Sequence, residues 1–287
     1  MPSSRRESLG KFQAGTSGWS YGDWVGPFYP DRTPASRYLK EYTGQFSVVE
    51  IDSTFYAIPA RSTVEAWAKN TPDDFRFAPK LPGSITHGAK GTRPVADKVL
   101  KDEDNDLDLY LEAMEPLFPK IACLLFQFPY FRVKELQGAD FVDRLARVLE
   151  RVPKELRLAV EIRNKPWIRE EYLSVLRQHR AAAVLLDHPY MPSPRQQLSS
   201  GMITTDFSYV RLLGDRYKIE EKTKEWGTIV EDKTKELLTW AEVIGKIVEM
   251  DGIRAAYTFA NNHFAGHGPA TVRQLVGFVD DYLSAEE

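Results

Sequence analysis

Eight short β-rich segments alternate with longer helix-like segments along the 287 residues, and this alternation constrains the fold most strongly. Most of the segments are continuously apolar until their last residues, as parallel strands covered on both faces should be. The pattern is typical of repeated βαβ units around one parallel sheet. The predicted strands are residues 12–15, 48–52, 76–80, 121–127, 157–161, 183–187, 209–213 and 255–261.

Five segments between the strands carry apolar residues at mixed spacings of three and four, which predicts outer helices. These segments are residues 61–70, 139–151, 170–179, 234–250 and 270–282. A barrel of this class needs roughly 250 residues. The sequence therefore predicts an α/β fold, a single eight-stranded parallel (β/α)8 TIM barrel over residues 11–287, after a flexible segment over residues 1–10.

Three long stretches, at residues 81–105, 188–206 and 214–233, follow predicted strands 3, 6 and 7 and have no clear helix pattern. In a barrel, the connections that follow strands gather at the catalytic face. Loops of this length are often functional. We expect at least one of them to act as a lid.

The charge and cysteine content narrow the classes of function. The net charge is -3 and no basic cluster stands out, whereas proteins that bind nucleic acid through phosphates usually carry a basic excess. Cys123 is the only cysteine, so an intrachain disulfide is excluded and a reducing compartment suits the chain. No apolar stretch approaches the ~20 residues that span a bilayer. We expect a cytoplasmic protein without membrane or export segments.

Polar side chains occur at the carboxyl ends of seven predicted strands. Glu50 and Asp52 share one face of the second strand, and Glu161 and Arg163 share one face of the fifth, because side chains alternate along a strand. The other strand-end residues are Lys80, Gln127, Asp187, Arg211 and Asn261. Two interpretations follow: a salt-bridge network that caps the core, or a working pocket.

Within a working pocket, the carboxylates are the candidate catalytic groups. Glu50 and Glu161 form the predicted acid and base pair, with Asp187 as a third carboxylate, because different surroundings separate carboxyl pKa values. Lys80 and Arg211 are expected to bind an anionic substrate or to stabilise developing charge.

Histidines that follow strands are candidate metal ligands. His87, His263 and His267, and by its position also His188, can supply imidazole nitrogens beside the strand-end carboxylates. No local metal-binding signature accompanies them, and their alternative role is to bond loop backbone. The sequence requires no cofactor, and a divalent metal stays an alternative.

The segment after the first strand, GTSGWSYGDWVGPFYP, is rich in glycine and aromatic residues. Gly15 and Gly18 allow close approach of backbone to a ligand. Trp19, Tyr21 and Trp24 form either a stacking wall for a ligand or a simple plug of the barrel mouth.

Eight collinear motifs together resemble the YecE-like family of domains of unknown function, number 72. They are GTSGWSYGDW, FYP, VEIDSTFYAIP, KLPGSITH, FQFP, VEIRNKPW, YVRLLG and ANNHFAGHGPAT, and they extend from Gly15 to the last helix. The resemblance implies a TIM-barrel fold and brings no established activity. The positions that recur in the family fall, by this resemblance, on Gly15, Ser17, Gly18, Trp19, Glu50, Asp52, Thr54, Phe55, Tyr56, Lys80, Thr86, His87, Gln127, Pro129, Glu161, Arg163, Trp167, Asp187, Arg211, Asn261, Asn262 and Gly266.

The chain departs from the family pattern at three positions. Family members often have Asn in place of Asp52, His in place of Leu213 and an acidic residue in place of His263. The family also resembles endonuclease IV-like barrels, which suggests a nucleic-acid role by analogy of fold alone.

The sequence thus favours a TIM-barrel enzyme, of a hydrolase or isomerase type, that acts on a small sugar- or phosphate-like anion. The expected substrate-binding residues are Trp19, Tyr21, Asp52, Tyr56, Lys80, His87, Gln127, Arg163, Trp167, Arg211, Asn261 and Asn262. One alternative is a metal-dependent nuclease or nucleic-acid-binding barrel in which the first-loop aromatics stack on a base. The other is a non-catalytic ligand-binding protein.

Overall fold

The computed structural model describes residues 5–90 and 93–285. Its strands are β1 Phe12–Thr16, β2 Val48–Ile51, β3 Arg76–Pro79, β4 Leu124–Gln127, β5 Leu158–Glu161, β6 Ala181–Asp187, β7 Phe207–Leu212 and β8 Ala255–Ala260. Its α-helices are α1 Arg5–Lys11, α2 Tyr38–Thr43, α3 Ser53–Tyr56, α4 Arg61–Lys69, α5 Gly83–Thr86, α6 Asp106–Met114, α7 Gly138–Leu149, α8 Glu170–Gln178, α9 Pro194–Ser199, α10 Arg216–Lys222, α11 Thr234–Glu249 and α12 Gly268–Ala285. Short 3-10 helices lie at Gly22–Trp24, Ala35–Arg37, Ala96–Lys98, Glu115–Lys120, Lys165–Trp167 and Asn262–Phe264.

The strands form an α/β fold with two parallel sheets. Six strands pair in the order β1-β8-β7-β6-β5-β4, and β2 pairs with β3. Each of the eight predicted strands is present, with ends that differ by up to three residues, and each of the five predicted outer helices is present. No helix in the described ranges combines the length and the apolar character needed to cross a bilayer.

A few contacts join the β2-β3 pair to both edge strands of the six-stranded sheet, β1 and β4. Isolated parallel bridges connect Ser17 with Glu50 on one side and Lys80 with Leu125 on the other. The amide of Gly18 donates to the carbonyl of Glu50 at 3.1 Å, and the amide of Leu81 donates to the carbonyl of Leu125 at 2.9 Å. The two sheets therefore meet edge to edge at both ends.

A tyrosine hydroxyl replaces a ladder bond between β1 and β2. The hydroxyl of Tyr42 accepts from the amide of Thr16 at 2.8 Å and donates to the carbonyl of Val48 at 3.1 Å. A Cβ on Gly15 would lie 1.9 Å from the carbonyl oxygen of Val48, so only glycine fits there. The strands approach closely at Gly15 and are bridged by a side chain where regular pairing stops.

Side-chain alternation explains what each strand buries. On β7, Phe207 and Tyr209 belong to the cluster enclosed by the strands, whereas Val210 and Leu212 pack under the outer helices. The large rings of β7 and β8 lie in the same cluster as the alanines of β3, β5 and β6, a pairing of large and small residues that fills a curved sheet. Arg211 continues the inner face and brings a charge to the carboxyl end of the strands.

The structure differs from the sequence expectation in the segments between these elements. Residues 5–10, expected to be flexible, form most of α1, and residues 1–4 lie outside the described part. The three long stretches without a predicted helix contain the short helices α5, α9 and α10. A helix of one or two turns is too short to show the periodicity on which helix prediction depends.

Candidate functional site

A buried ion network lies at the carboxyl ends of the strands. Glu50 on β2 and Glu161 on β5 are fully buried, and Arg211 on β7 is 2% exposed between them. The Nε and Nη2 atoms of Arg211 donate to the two oxygens of Glu50 at 2.7 and 2.9 Å, and its Nη1 donates to Glu161. The predicted carboxylate pair is therefore bridged by one guanidinium.

The acceptor positions of Glu50 are filled. Its oxygens also accept from the hydroxyls of Ser17, at 2.5 Å, and Tyr209, at 2.6 Å, so that four donors surround one carboxylate. A general base must offer a lone pair to the proton that it removes. Glu50 in this arrangement holds Arg211 in place and has no free acceptor for a substrate.

Glu161 is held as an ion by two guanidiniums. Burial alone would raise the pKa of its carboxyl, but the charges of Arg211 and Arg163 outweigh burial and hold the pKa below its usual value. The Nε of Arg163 donates to the second oxygen of Glu161 at 3.1 Å. Glu161 is thus ionised at neutral pH and cannot serve there as a proton donor. For this buried layer, the geometry favours the salt-bridge interpretation.

A second layer lies nearer to solvent and contains the accessible charges. The side chain of Asp52 is 31% exposed and pairs with the ammonium of Lys80, which is 11% exposed. Burial opposes the charge of Asp52, yet Lys80 and then Arg211 lower the pKa of its carboxyl. Arg163 is 27% exposed. Its Nη groups make no hydrogen bond to any described residue.

Two histidines are kept neutral by burial and by the charge of Arg163. Burial is the main cause that lowers the pKa of both His87 and His188 to about 4, and the charge of Arg163 is the next. The backbone amide of Tyr190 donates to Nδ1 of His188 at 3.3 Å. Because Nδ1 accepts, the neutral ring carries its proton on Nε2. His188 thus offers an N–H donor beside a cationic group.

Several predicted substrate-binding residues also lie at the carboxyl ends of the strands around Arg163 and Asp52, a region that we call the mouth. Tyr21 donates its hydroxyl to the carbonyl of Ser17 at 3.1 Å, and burial, then Asp52 and Glu50, raise the pKa of Tyr21. Gln127, which ends β4, and Asn261, which follows β8, are half-buried. The Oδ1 atom of Asn261 is buried and has no partner among the described residues.

Other predicted site residues face away from the network. Asp187 belongs to the outer face of β6 and accepts from the indole Nε1 of Trp240 on α11 at 2.7 Å. Burial raises the pKa of Asp187. Ala182 and Val184 are the inner residues of β6, so the alternation along the strand places Asp187 outside. The prediction that Asp187 lies with Glu50 and Glu161 is wrong for this geometric reason.

The first-loop aromatics form a plug rather than an open stacking wall. Trp24 is fully buried and its ring packs 4.6 Å from that of Tyr21. Trp19 packs edge-on against Trp67 of α4 at 5.8 Å. Trp24 is therefore committed to packing within the protein, whereas Trp19 is half-buried against Trp67.

Two other predicted substrate-binding residues, Trp167 and Asn262, instead hold parts of the fold together. Trp167 is 8% exposed and stacks on Phe141 of α7 at 4.7 Å, outside the strand-end network. The Oδ1 atom of Asn262 accepts from the amide of Gly268 at 2.9 Å and so caps the start of α12.

The candidate metal-binding histidines occupy three separate environments. His263 bonds Glu220 at 3.1 Å, His267 packs against Trp24 at 6.1 Å between ring centres, and His87 packs against Phe55 at 4.7 Å. Among the residues that the structure describes, no three His, Cys, Asp or Glu side chains are grouped to hold a metal ion.

Reasoning from strand ends missed Tyr209 as a member of the network, whereas Ser17 was indicated by the family resemblance alone and His188 only as a candidate metal ligand. Tyr209 lies two residues before Arg211, on the same face of β7, so alternation carried one step further along the strand would have indicated it. Ser17 likewise follows Gly15 by two residues. His188 lies just beyond β6, where no pattern indicates the direction of a side chain.

Comparisons with known proteins agree with this architecture. The family model described as "Protein of unknown function DUF72" matches residues 13–285. The UPF0759 protein YunF of Bacillus subtilis is 29% identical over 198 residues, which are 67% of this chain and 63% of that protein. The UPF0759 protein YecE of Escherichia coli K12 is 33% identical over 147 residues, 51% of this chain and 46% of that protein. The matches thus span between about half and two thirds of these curated relatives.

Solved structures show the same fold over nearly the whole chain. A DUF72 family protein from Thermotoga maritima superposes with a TM-score of 0.71 at 29% identity, covering 96% of this chain and 99% of that one. A B12-independent methionine synthase from Shewanella gives a TM-score of 0.54 at 11% identity, covering 97% and 98%. A psychrophilic family 10 endo-β-1,4-xylanase gives 0.52 at 8%, covering 95% and 98%. The last two likenesses concern the fold alone. On the family match across residues 13–285, the chain belongs to the DUF72 family, as its motifs indicated.

Proposed function

We propose that this chain is a barrel enzyme that binds a small anionic substrate at the carboxyl ends of its strands and transfers a proton through Asp52. The single observation that carries the proposal is the guanidinium of Arg163. It is anchored through Nε on the buried Glu161, is partly exposed, and presents Nη groups without a partner among the described residues.

The proposal includes closure of the two sheets into one eight-stranded barrel. The bridges at Ser17 and Lys80 support closure, because they connect the β2-β3 pair to β1 on one side and to β4 on the other. Barrel enzymes carry their catalytic groups at the carboxyl ends of the strands. Arg163, Lys80 and Asp52 all come from that end.

Anion binding follows from the fixed geometry of Arg163. A guanidinium with two free N–H groups in one plane can hold a carboxylate or phosphate through two parallel bonds. The bond to Glu161 orients this plane before a ligand arrives. His188 adds a neutral N–H donor, and Lys80 adds a second cation.

Proton transfer is assigned to Asp52 rather than to Glu50 or Glu161. Asp52 is the partly exposed carboxylate of the site, and Lys80 and Arg211 hold its pKa below the usual value, so it is assigned as the base that takes a proton from a substrate. Glu50 is surrounded by four donors, and Glu161 is fully buried between two guanidiniums. These two carboxylates position Arg211 and Arg163.

The nucleic-acid alternative loses its main support because Trp24 is buried and Trp19 packs on Trp67. A base-stacking platform needs open aromatic faces. The small-anion proposal depends on neither tryptophan.

A binding screen followed by three variants tests the proposal. Inorganic phosphate and small mono- and dicarboxylates are screened for thermal stabilisation of the protein, since a ligand of the folded state raises the melting temperature. Arg163→Lys keeps a charge for Glu161 but loses the planar fork, so we expect at least a tenfold loss of affinity for the best anion. Arg132→Lys, at an exposed arginine after β4, is the matched control and should leave affinity unchanged.

The third variant separates binding from chemistry. Asp52→Asn should keep anion binding within a few-fold and abolish turnover of any substrate found among the anions that bind. Equal affinity of wild type and Arg163→Lys for every anion would contradict the binding assignment. Full turnover in Asp52→Asn would contradict the assignment of the proton-transfer group.

A further inference from the structure

All exposed aromatic side chains of the described residues lie on one face of the protein. They are Tyr56, Tyr130, Tyr190 and Tyr217, which are 62%, 54%, 70% and 79% exposed. They follow β2, β4, β6 and β7, at the end of the strands that carries Arg163 and Asp52. The other described aromatic residues are buried or half-buried.

Two of these tyrosines are connected by ring contacts to the histidines of the mouth. Tyr190 packs 5.3 Å from His188, and its amide bonds the Nδ1 of that ring. Tyr56 packs edge-on against Phe55 at 5.1 Å, and Phe55 packs against His87 at 4.7 Å. The charge of Arg163 contributes to the lowered pKa of both histidines, so both ring pairs lie within electrostatic reach of this guanidinium.

The two tyrosines approach the mouth from opposite sides. Tyr56 follows β2 and Tyr190 follows β6, and these strands are four positions apart around an eight-stranded barrel. This step rests on the barrel closure of the proposed function. Arg163 follows β5, between β2 and β6 in the strand order, so a ligand that extends from Arg163 across this end of the barrel passes toward both rings.

We propose that Tyr56 and Tyr190 form a stacking rim for an anionic saccharide, whose carboxylate or phosphate binds Arg163 and whose sugar rings lie against the two tyrosines. Sugar rings have an apolar C–H face that packs on an aromatic ring, and hydroxyls that suit the amide groups of Gln127 and Asn261.

The charges of the mouth favour a saccharide with one anionic group over a polyanion. Asp52 shares the site with Arg163 and Lys80, and the chain carries a net charge of -3. A polyanion with one charge on every unit would meet Asp52 as well as the cations, and proteins that bind such chains usually present a basic surface. One anionic group on an otherwise neutral sugar satisfies Arg163 alone.

The test measures dissociation constants by calorimetry for four probes: glucuronic acid, a glucuronic-acid-terminated disaccharide, glucose 6-phosphate and inorganic phosphate. In wild type, we expect the disaccharide to bind at least tenfold more tightly than inorganic phosphate. Tyr56→Ala and Tyr190→Ala should each weaken the disaccharide roughly tenfold, as loss of an aromatic contact does. The phosphate affinity should not change in either variant.

Two controls distinguish stacking from other roles of the tyrosines. Tyr56→Phe and Tyr190→Phe keep the ring and should bind within about twofold of wild type, whereas Tyr217→Ala removes an exposed tyrosine that has no ring contact with the mouth histidines and should bind as wild type. Disaccharide affinity unchanged in both alanine variants, or no saccharide bound more tightly than phosphate, overturns the inference.

Those outcomes are separable from failure of the proposed function. If Arg163→Lys weakens phosphate and simple carboxylates while the tyrosine variants change nothing, the anion site stands and the saccharide rim is wrong. If Arg163→Lys changes no affinity, the anion site itself is wrong. The comparison of glucuronic acid with glucose 6-phosphate then reports whether a carboxylate or a phosphate is the preferred anionic group.

Discussion

Replacement of Arg211 by methionine tests whether the buried network supports the fold. Arg211 is 2% exposed and makes two hydrogen bonds to Glu50 and one to Glu161. Arg211→Met keeps a long apolar side chain but leaves two buried carboxylates without their shared cation. Breaking a buried ion pair from one side typically costs about 3–5 kcal/mol. That is a large part of the roughly 5–15 kcal/mol by which a domain is stable.

The loss of stability in Arg211→Met should grow as the pH rises, for two reasons. In wild type, the lowered pKa of Glu161 contributes stability that is present above the unfolded carboxyl pKa of about 4.3 and is lost as the pH falls. In Arg211→Met, Glu50 loses its cation and Glu161 keeps only Arg163, so burial opposes both negative charges and stability is lost as the carboxylates ionise with rising pH. Both effects make the difference between the two proteins smallest near pH 4 and largest at neutral pH.

The assay is denaturant unfolding of both proteins at pH 4.5 and pH 7.5. Arg216→Met is the matched control, because Arg216 is 68% exposed and pairs with Glu220 on the surface, where a pair contributes less than about 1 kcal/mol. If Arg211→Met does not fold at neutral pH, the triple variant that adds Glu50→Gln and Glu161→Gln should restore folding by removing the unpaired charges. A loss below about 1 kcal/mol, or an equal loss at both pH values, would refute the reasoning.

Three further predictions concern single groups. Tyr42→Phe removes the hydroxyl that joins β1 to β2, and we expect denaturant unfolding to show a loss of about 1–3 kcal/mol in stability. The control is Tyr38→Phe on the same helix. It removes a hydroxyl with no bond to a described residue, so the stability should change little. Asp187→Asn should stabilise the protein at pH 7 and not at pH 3, because the raised pKa of Asp187 means that its charge opposes folding once ionised, while the amide oxygen can still accept from Trp240. Burial lowers the pKa of His267 to about 4, so stability is lost as the pH falls from 6.5 to 4. His267→Gln should therefore flatten this part of the plot of melting temperature against pH. An unchanged slope would contradict the burial of a neutral imidazole.

Much of the inner face of the strands was predictable because alternation is a strict geometric rule. Glu50 and Arg211 were placed on the same side from sequence, and the structure brings them into contact. The rule failed at Asp187 because the predicted strand began at residue 183 and its inner residues were not identified from their neighbours. With Ala182 and Val184 inside, the same rule places Asp187 outside.

The sequence does not show which donors each buried carboxylate binds. Glu50 and Glu161 look alike as strand-end carboxylates, but one is surrounded by four donors and the other by two guanidiniums. Trp24 was equally compatible with a plug or a stacking wall, because its burial depends on rings that pack over it, among them that of His267 near the last helix. Such contacts join segments far apart in the chain, and no local pattern encodes them.

The two layers of charge have different physical roles: the buried layer fixes the orientation of a charge in the layer nearer to solvent. In the buried layer, Glu50 and Glu161 are needed because Arg211 could not otherwise lose its water. Glu161 then extends a second oxygen to Arg163, so the inner ion pair fixes the orientation of a cation that solvent can reach. A catalytic site needs groups held within a fraction of an ångström of their working positions. In the proposed function, the network of Glu50, Arg211 and Glu161 provides that support, so carboxylates that do no chemistry themselves are needed for anion binding at Arg163.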